Sequence, residues 1–142
     1  MLEPLDSLVE VERFLRRKLQ SLSRANNLTI SEWQLLKRIV GGENTQSVLS
    51  SNTSLDVSTL SRQLARLTAK NFLKKEKIPS ANAQTRKTIS YSISETGKRA
   101  FEQMNHDYQV LTQKIFSPWT EEEYNLLKIL LNRLDTSLQR TL

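Results

Sequence analysis

The sequence predicts a mainly α-helical fold with a small β-hairpin wing: a winged helix-turn-helix with a long helix at either end of the chain. Only three glycines and three prolines occur in 142 residues, which favours long uninterrupted helices over a turn-rich β fold. Both terminal segments carry leucines at the three- and four-residue spacing of an amphipathic helix. Between them lie a short helical segment, a turn, a longer helical segment and two strand-like segments, in the order of that fold.

The first helical segment is predicted from Pro4 to Ala25. Its apolar residues recur every three or four positions: Leu5, Leu8, Val11, Leu15, Leu19 and Leu22. This narrow stripe on a long terminal helix is typical of a surface that packs on a partner helix. We expect one domain over 1–142, with a winged lobe over about 29–97 and dimerisation helices over about 4–25 and 98–141.

A second helix is predicted after Leu28, where Ser31 and Gln34 have the three-residue spacing of a capping box. Gly41 and Gly42 would end this helix. The terminal helices carry more leucine than one small domain needs for its core, which indicates that the chain pairs with a second copy.

A helix-turn-helix is predicted next. Thr45 to Ser51 forms the short helix, and the turn formers from Asn52 to Leu55 break it. Asp56 is placed to cap the longer helix, which would run from Val57 to about Lys70, and Asn71 suits a left-handed position at its end.

Two strands and two more helices complete the pattern. The strands are predicted at Phe72 to Ile78 and Lys87 to Ile93, joined by a polar hairpin tip. Ser94 would cap a helix from Glu95 to about Phe116. Thr120 and Glu123 form a further capping box before the last helix.

Positive charge is concentrated in the middle of the chain. The chain carries a net charge of +6, and residues 57–100 contain ten lysines and arginines against two acidic residues. A basic centre between neutral or acidic ends is typical of a nucleic-acid surface, although a solvated basic face would look the same.

The second helix of a helix-turn-helix enters the major groove of DNA with its N-terminal residues at the base edges. Small hydroxyl side chains allow close approach there, and arginines reach guanine edges or phosphates. The wing's adjacent cations would contact the neighbouring minor groove or the phosphates. The DNA-binding candidates are therefore Ser58, Thr59, Ser61, Arg62, Arg66, Arg86 and Lys87. The alternatives are helix-start chemistry for Ser58 and Thr59 and a solvated turn for Arg86.

Other functional classes find little support. The chain has no cysteine, so disulfides, thiolate nucleophiles and zinc–thiolate sites are excluded. His106 is the single histidine and is expected on a helix surface. No phosphate-binding glycine loop or nucleophile–base pair stands out, so we expect no catalytic residue, cofactor or metal. No signal-peptide or membrane-spanning run is visible, so we expect a cytoplasmic protein with no membrane contact.

The segments LSSNTSLDVSTLSRQLARLTAKNFLKKEK and TRKTISYSISETGKRAF resemble the MarR family of winged helix-turn-helix transcriptional regulators. The positions that match its signature are Leu49, Leu55, Ser58, Thr59, Arg62, Leu67, Leu73 and Ile93 to Gly97. The flanking helices match as well, so the resemblance covers essentially the whole chain. Three positions depart from the family pattern: Ser54 and Asn71 stand where glycine is common, and Thr85 stands where an aspartate braces the arginine that follows.

This resemblance implies a homodimer joined through the first and last helices and bound to a pseudo-palindromic operator in double-stranded DNA. It also implies a small aromatic ligand between the dimer helices and the winged lobe. Residues placed to line such a pocket are Trp33, Tyr108, Phe14 and Met104, for which plain core packing is the favoured alternative. The sequence therefore predicts a DNA-binding regulator that represses transcription. The rival hypothesis is a winged-helix protein-interaction or scaffold module whose basic face binds an acidic partner.

Overall fold

The structure is a computed structural model that describes residues 1–79 and 87–141. Its elements, in chain order, are α1 (Pro4–Ala25), α2 (Ile30–Val40), α3 (Gln46–Asn52), α4 (Val57–Ala69), β1 (Leu73–Pro79), β2 (Lys87–Ile93), α5 (Glu95–Phe116) and α6 (Glu121–Arg140). This order confirms the predicted mainly helical fold with a hairpin wing.

The start of α2 differs from the prediction. Its N-cap is Thr29, whose hydroxyl accepts a hydrogen bond from the Glu32 amide at 3.0 Å, while the Glu32 carboxylate accepts one from the Thr29 amide at 2.9 Å. The expected capping box at Ser31 and Gln34 was wrong, because both residues already lie inside the helix. Thr and Glu satisfy the same reciprocal pattern two residues earlier.

Both ends of α4 follow the sequence signals. The Asp56 carboxylate caps the first turn by accepting from the Thr59 amide at 2.7 Å. Asn71 adopts the left-handed conformation expected of it, with φ of 64°. The helix ends at Ala69, and the Phe72 amide donates back to the Leu67 carbonyl at 2.8 Å. This bond closes the helix end, so β1 begins at Leu73 and not at Phe72 as predicted.

The two strands form an antiparallel hairpin in which Leu73 pairs with Ile93 and Lys77 with Ile89. Ser94 then starts α5: its hydroxyl accepts from the Gly97 amide at 3.0 Å and donates to the Asn71 carbonyl. The beginning of α5 is therefore fixed against the turn that follows α4.

The hydrophobic core is built from one face each of α2, α3, α4 and the hairpin, with a contribution from α5. Its least exposed side chains are Leu36, Leu49, Leu60, Leu67 and Met104. Leu19 and Leu22 at the end of α1 pack against this cluster. In α2 and α4 the apolar spacing seen in the sequence is thus the spacing of the core.

The chain divides into two compact units, residues 1–107 and 108–142, so the single domain over 1–142 stays a prediction. The first unit holds α1 to β2 and most of α5, and the second holds the last turns of α5 and all of α6. Within the described ranges, no helix has the length and apolar character needed to cross a membrane.

Candidate nucleic-acid interface

Helix α4 has one buried face and one exposed polar face. Leu60, Leu64 and Leu67 are buried in the core. Ser58, Arg62 and Arg66, four residues apart, are exposed, and Thr59 is partly buried beside them. Because residues at this spacing share one side of a helix, packing of the leucines turns both arginines toward solvent.

The first turn of α4 carries a chain of hydrogen bonds between predicted site residues. The Ser58 hydroxyl donates to the Asp56 carboxylate at 3.1 Å, and the Arg62 guanidinium donates to the Thr59 hydroxyl at 3.4 Å. Hydrogen bonds from Thr59, together with the one from Ser58, lower the pKa of Asp56 below its ordinary value. The Arg62 bond is long and solvent-exposed, so the guanidinium can exchange it for a stronger acceptor at low cost.

Ser61 differs from its neighbours because it is half-buried and already bonded across the motif. Its hydroxyl accepts from the Gln46 side chain of α3 at 2.6 Å. A second bond between helices runs from the Gln63 side chain to the Ser31 hydroxyl of α2 at 2.8 Å. These bonds hold α4 against α3 and α2, a function that the sequence pattern did not assign to Gln46 or Gln63.

The first strand of the hairpin follows α4 in the chain and carries several cations. Lys74, Lys75 and Lys77 of β1 are exposed, and Glu76 is the single acidic residue of that strand. The base of the hairpin is fixed to the start of α3, since the Tyr91 amide donates to the Asn44 carbonyl at 2.7 Å.

Two predicted wing contacts are not tested by this geometry. Arg86 lies outside the described residues. Lys87 is described only in its backbone, which pairs with Pro79. Both stay predictions.

Comparison with known proteins identifies the architecture. No protein-family model and no curated protein matches the chain. Among solved structures, wild-type apo MarR from E. coli is 24% identical, with 94% of this chain and 98% of that chain covered and a TM-score of 0.71. A MepR mutant from S. aureus is 18% identical, with 96% and 99% covered and a TM-score of 0.77. The chain has the MarR fold. A mutant E. coli MarR complexed with operator DNA, also 24% identical, aligns over 92% of this chain and 93% of that chain with a TM-score of 0.71.

Within this MarR fold, the residues predicted to line a ligand pocket lie in different surroundings. Trp33 and Met104 are buried in the core, as the core-packing alternative expected, and the Trp33 indole donates to the Asn105 side chain at 2.8 Å. Phe14 is an exposed residue of α1, and Tyr108 is exposed in the second unit. A small aromatic ligand stays a prediction. His106 is exposed on α5, as expected.

The terminal helices of this MarR fold expose apolar side chains within the single chain. On α1, Leu5, Val11 and Leu15 of the predicted stripe are exposed, whereas Leu19 and Leu22 reach the core. Helix α6 contributes no buried residue at all, although Leu126, Ile129, Leu130, Leu131 and Leu138 lie along it. Apolar helix faces of this extent are typical of surfaces that a partner covers.

Proposed function

We propose that this chain is a cytoplasmic, sequence-specific double-stranded DNA-binding transcriptional regulator. It would act as a homodimer on a pseudo-palindromic operator and repress transcription by occupying promoter DNA. The observation that carries the proposal is the exposed face of α4, where Ser58, Arg62 and Arg66 stand outside a helix whose other face is fixed in the core. The operator complex found among the solved structures of the same fold supports it. We call α4 the recognition helix below.

The proposed roles follow from side-chain chemistry. Arg62 would donate two hydrogen bonds to a guanine edge, since a guanidinium matches the two acceptors that guanine presents in the major groove. Ser58 and Thr59 are small enough to let the recognition helix approach the bases. Arg66, one turn further on, and the wing cations, including Arg86 and Lys87, would contact phosphates and fix the register.

Ser61 has a different proposed role from its neighbours. Its hydroxyl is held by Gln46, so it would position the recognition helix against α3 before any contact with DNA.

DNA binding is tested by fluorescence anisotropy with a random duplex and with a duplex selected by the protein from its host genome. We expect affinity for both duplexes to fall steeply as salt rises, because each neutralised phosphate releases counterions. A protein indifferent to random DNA at low salt would overturn the proposal and favour the protein-interaction hypothesis.

The Arg62→Ala variant distinguishes contact with a base from contact with a phosphate. Arg62→Ala should weaken binding to the selected duplex by about 1–3 kcal/mol and binding to random duplex by less. Arg17→Ala, which removes an exposed arginine from α1, is the matched control and should leave both affinities nearly unchanged. Equal losses on the two duplexes would reassign Arg62 to a phosphate.

The homodimer is tested by sedimentation. Leu130 is about half exposed on the apolar side of α6, and Asn132 is exposed on the side that carries polar residues. Leu130→Glu should shift the protein to a monomer at a concentration where the wild type and Asn132→Glu are dimers. A wild-type monomer at working concentration would refute the dimeric part of the proposal.

A further inference from the structure

The C-terminal end of the recognition helix is tied to the junction between α1 and α2 by one lysine. The Lys70 ammonium donates to the Asn27 carbonyl at 3.0 Å and to Oε1 of Glu32 at 3.0 Å. Lys70 is the C-cap residue of α4, and Asn27 stands two residues after the end of α1. Lys70 lies 43 positions after Asn27 and 38 positions after Glu32, so the two bonds join distant parts of the sequence.

Glu32 makes this link more than a surface ion pair. Its side chain is 1% exposed, whereas that of Lys70 is 26% exposed. Oε1 of Glu32 also accepts from the Thr29 amide, and Oε2 has no hydrogen-bond partner in the described part of the chain. A carboxylate removed from water in this way needs a cation beside it, so Lys70 is held where its charge is required.

The same junction is fixed to α5. The Asn26 side chain donates to the Asp107 carboxylate at 3.0 Å and to the Leu22 carbonyl at 2.9 Å. Asn27 adopts the left-handed conformation, with φ of 57°. Two consecutive asparagines thus connect the end of α1 to α5 on one side and to the recognition helix on the other.

We propose that Lys70 is a positioning residue that sets the angle between α1 and the recognition helix, and thereby the half-site spacing that the dimer accepts. This inference rests on the proposed function, because it takes the exposed part of α1 as a dimer surface. The bonds from Gln46 and Gln63 join α4 to neighbouring helices of the winged lobe, whereas Lys70 joins it to the end of α1.

Half-site spacing is the property that this angle controls. A dimer binds two half-sites about one helical turn of DNA apart, and its specificity depends on both recognition helices entering their grooves together. One added base pair moves a half-site by about 3.4 Å and rotates it by roughly 35°. Binding to random duplex depends on charge and is insensitive to this register.

The test begins with a duplex that the wild-type protein selects from a random-sequence library, together with two derivatives whose central spacer is one base pair longer or shorter. We expect the wild type to lose about tenfold or more in affinity for either derivative. Lys70→Met should lose affinity for the selected duplex. Its affinities for the three duplexes should then lie within about threefold of one another. Lys74→Met removes the same charge from an exposed position on β1 and should weaken all three duplexes alike, with the wild-type spacing preference retained.

Destabilisation is separated from positioning by the Glu32→Gln/Lys70→Met double variant. It carries no uncompensated buried charge, and glutamine preserves the capping box with Thr29. We expect it to fold like the wild type and to show the flattened spacing profile of Lys70→Met. A sharp wild-type profile in the folded double variant, or a uniform loss for Lys70→Met equal to that for Lys74→Met, would overturn the proposal. If the wild type selects no duplex at all, the proposed function has failed first.

Discussion

Gly97→Ala is expected to destabilise the protein, although the same change stabilises most helices. Gly97 lies in the first turn of α5, and a Cβ atom there would stand 2.2 Å from the Phe72 carbonyl oxygen, with the Phe72 carbonyl carbon at 2.8 Å. Cβ atoms in proteins essentially never approach non-bonded atoms beyond their chain neighbours closer than 3.0 Å. The obstructing atoms belong to the backbone, so no side-chain rotation relieves the overlap.

The magnitude follows from what must move. Shifting α5 away from Phe72 stretches the 3.0 Å bond from the Ser94 amide to the Phe72 carbonyl and the bond from the Ser94 hydroxyl to the Asn71 carbonyl. Each such bond contributes about 1 kcal/mol, and overpacking costs about 1–3 kcal/mol more. The helix propensity of alanine offsets about 1 kcal/mol of this. We expect a net loss of roughly 3 kcal/mol, which is about 10 °C in Tm for a chain of this length.

The assay is urea and thermal unfolding followed by circular dichroism, at one fixed protein concentration because association would shift the midpoint. Gly41→Ala is the matched control. Gly41 ends α2 with φ of −76°, and its added Cβ would lie 3.3 Å from the nearest atom. Its midpoint should stay within about 0.5–1 kcal/mol of the wild type. A Gly97→Ala midpoint at or above that of the wild type would refute the packing of α5 on Phe72.

Three further predictions concern stability. Thr29→Ala removes the observed N-cap of α2 and should cost about 1 kcal/mol in chemical denaturation; an unchanged midpoint would place the cap elsewhere. Asn105→Ala takes the acceptor from the buried Trp33 indole and should cost roughly 1–3 kcal/mol, whereas no loss in thermal melts would show that this bond does not form. Folding lowers the pKa of Asp56, so its ionised form stabilises the protein above the ordinary value of 3.8, and this stabilisation is lost as pH falls through the lowered pKa. Asp56→Asn caps without titrating, so the stability difference from the wild type should shrink below about pH 4 in acid titrations; a difference constant with pH would contradict this.

The secondary structure was largely predictable because its signals are local. Apolar spacing placed the helices, and short-range chemistry placed Asp56, Asn71 and Thr120 at helix ends. The misplaced start of α2 shows the limit of such signals. Two overlapping capping patterns fit the same stretch. The capping box that forms uses Glu32, whose carboxylate also accepts a hydrogen bond from Lys70 at the end of α4.

The candidate site was predictable in part. The amphipathic pattern of α4 placed Ser58 and Arg62 on the exposed face, because burial of the leucines leaves no other orientation. It could not show that Ser61 bonds to Gln46, since that contact depends on how α3 and α4 cross. The same holds for Lys70 and Glu32: each is unremarkable where it stands in the sequence, and only the packing of α4 beside α2 brings them together.

The lack of any buried residue in α6 has a thermodynamic consequence. A 20-residue helix is only marginally stable in water by itself, so its conformation has to draw stability from burial against something else. If a second copy supplies that burial, folding of this helix becomes a bimolecular event, and its melting temperature rises with protein concentration. The concentration of the protein in the cell would then set the fraction of α6 that is helical as well as the fraction of the protein that is dimeric.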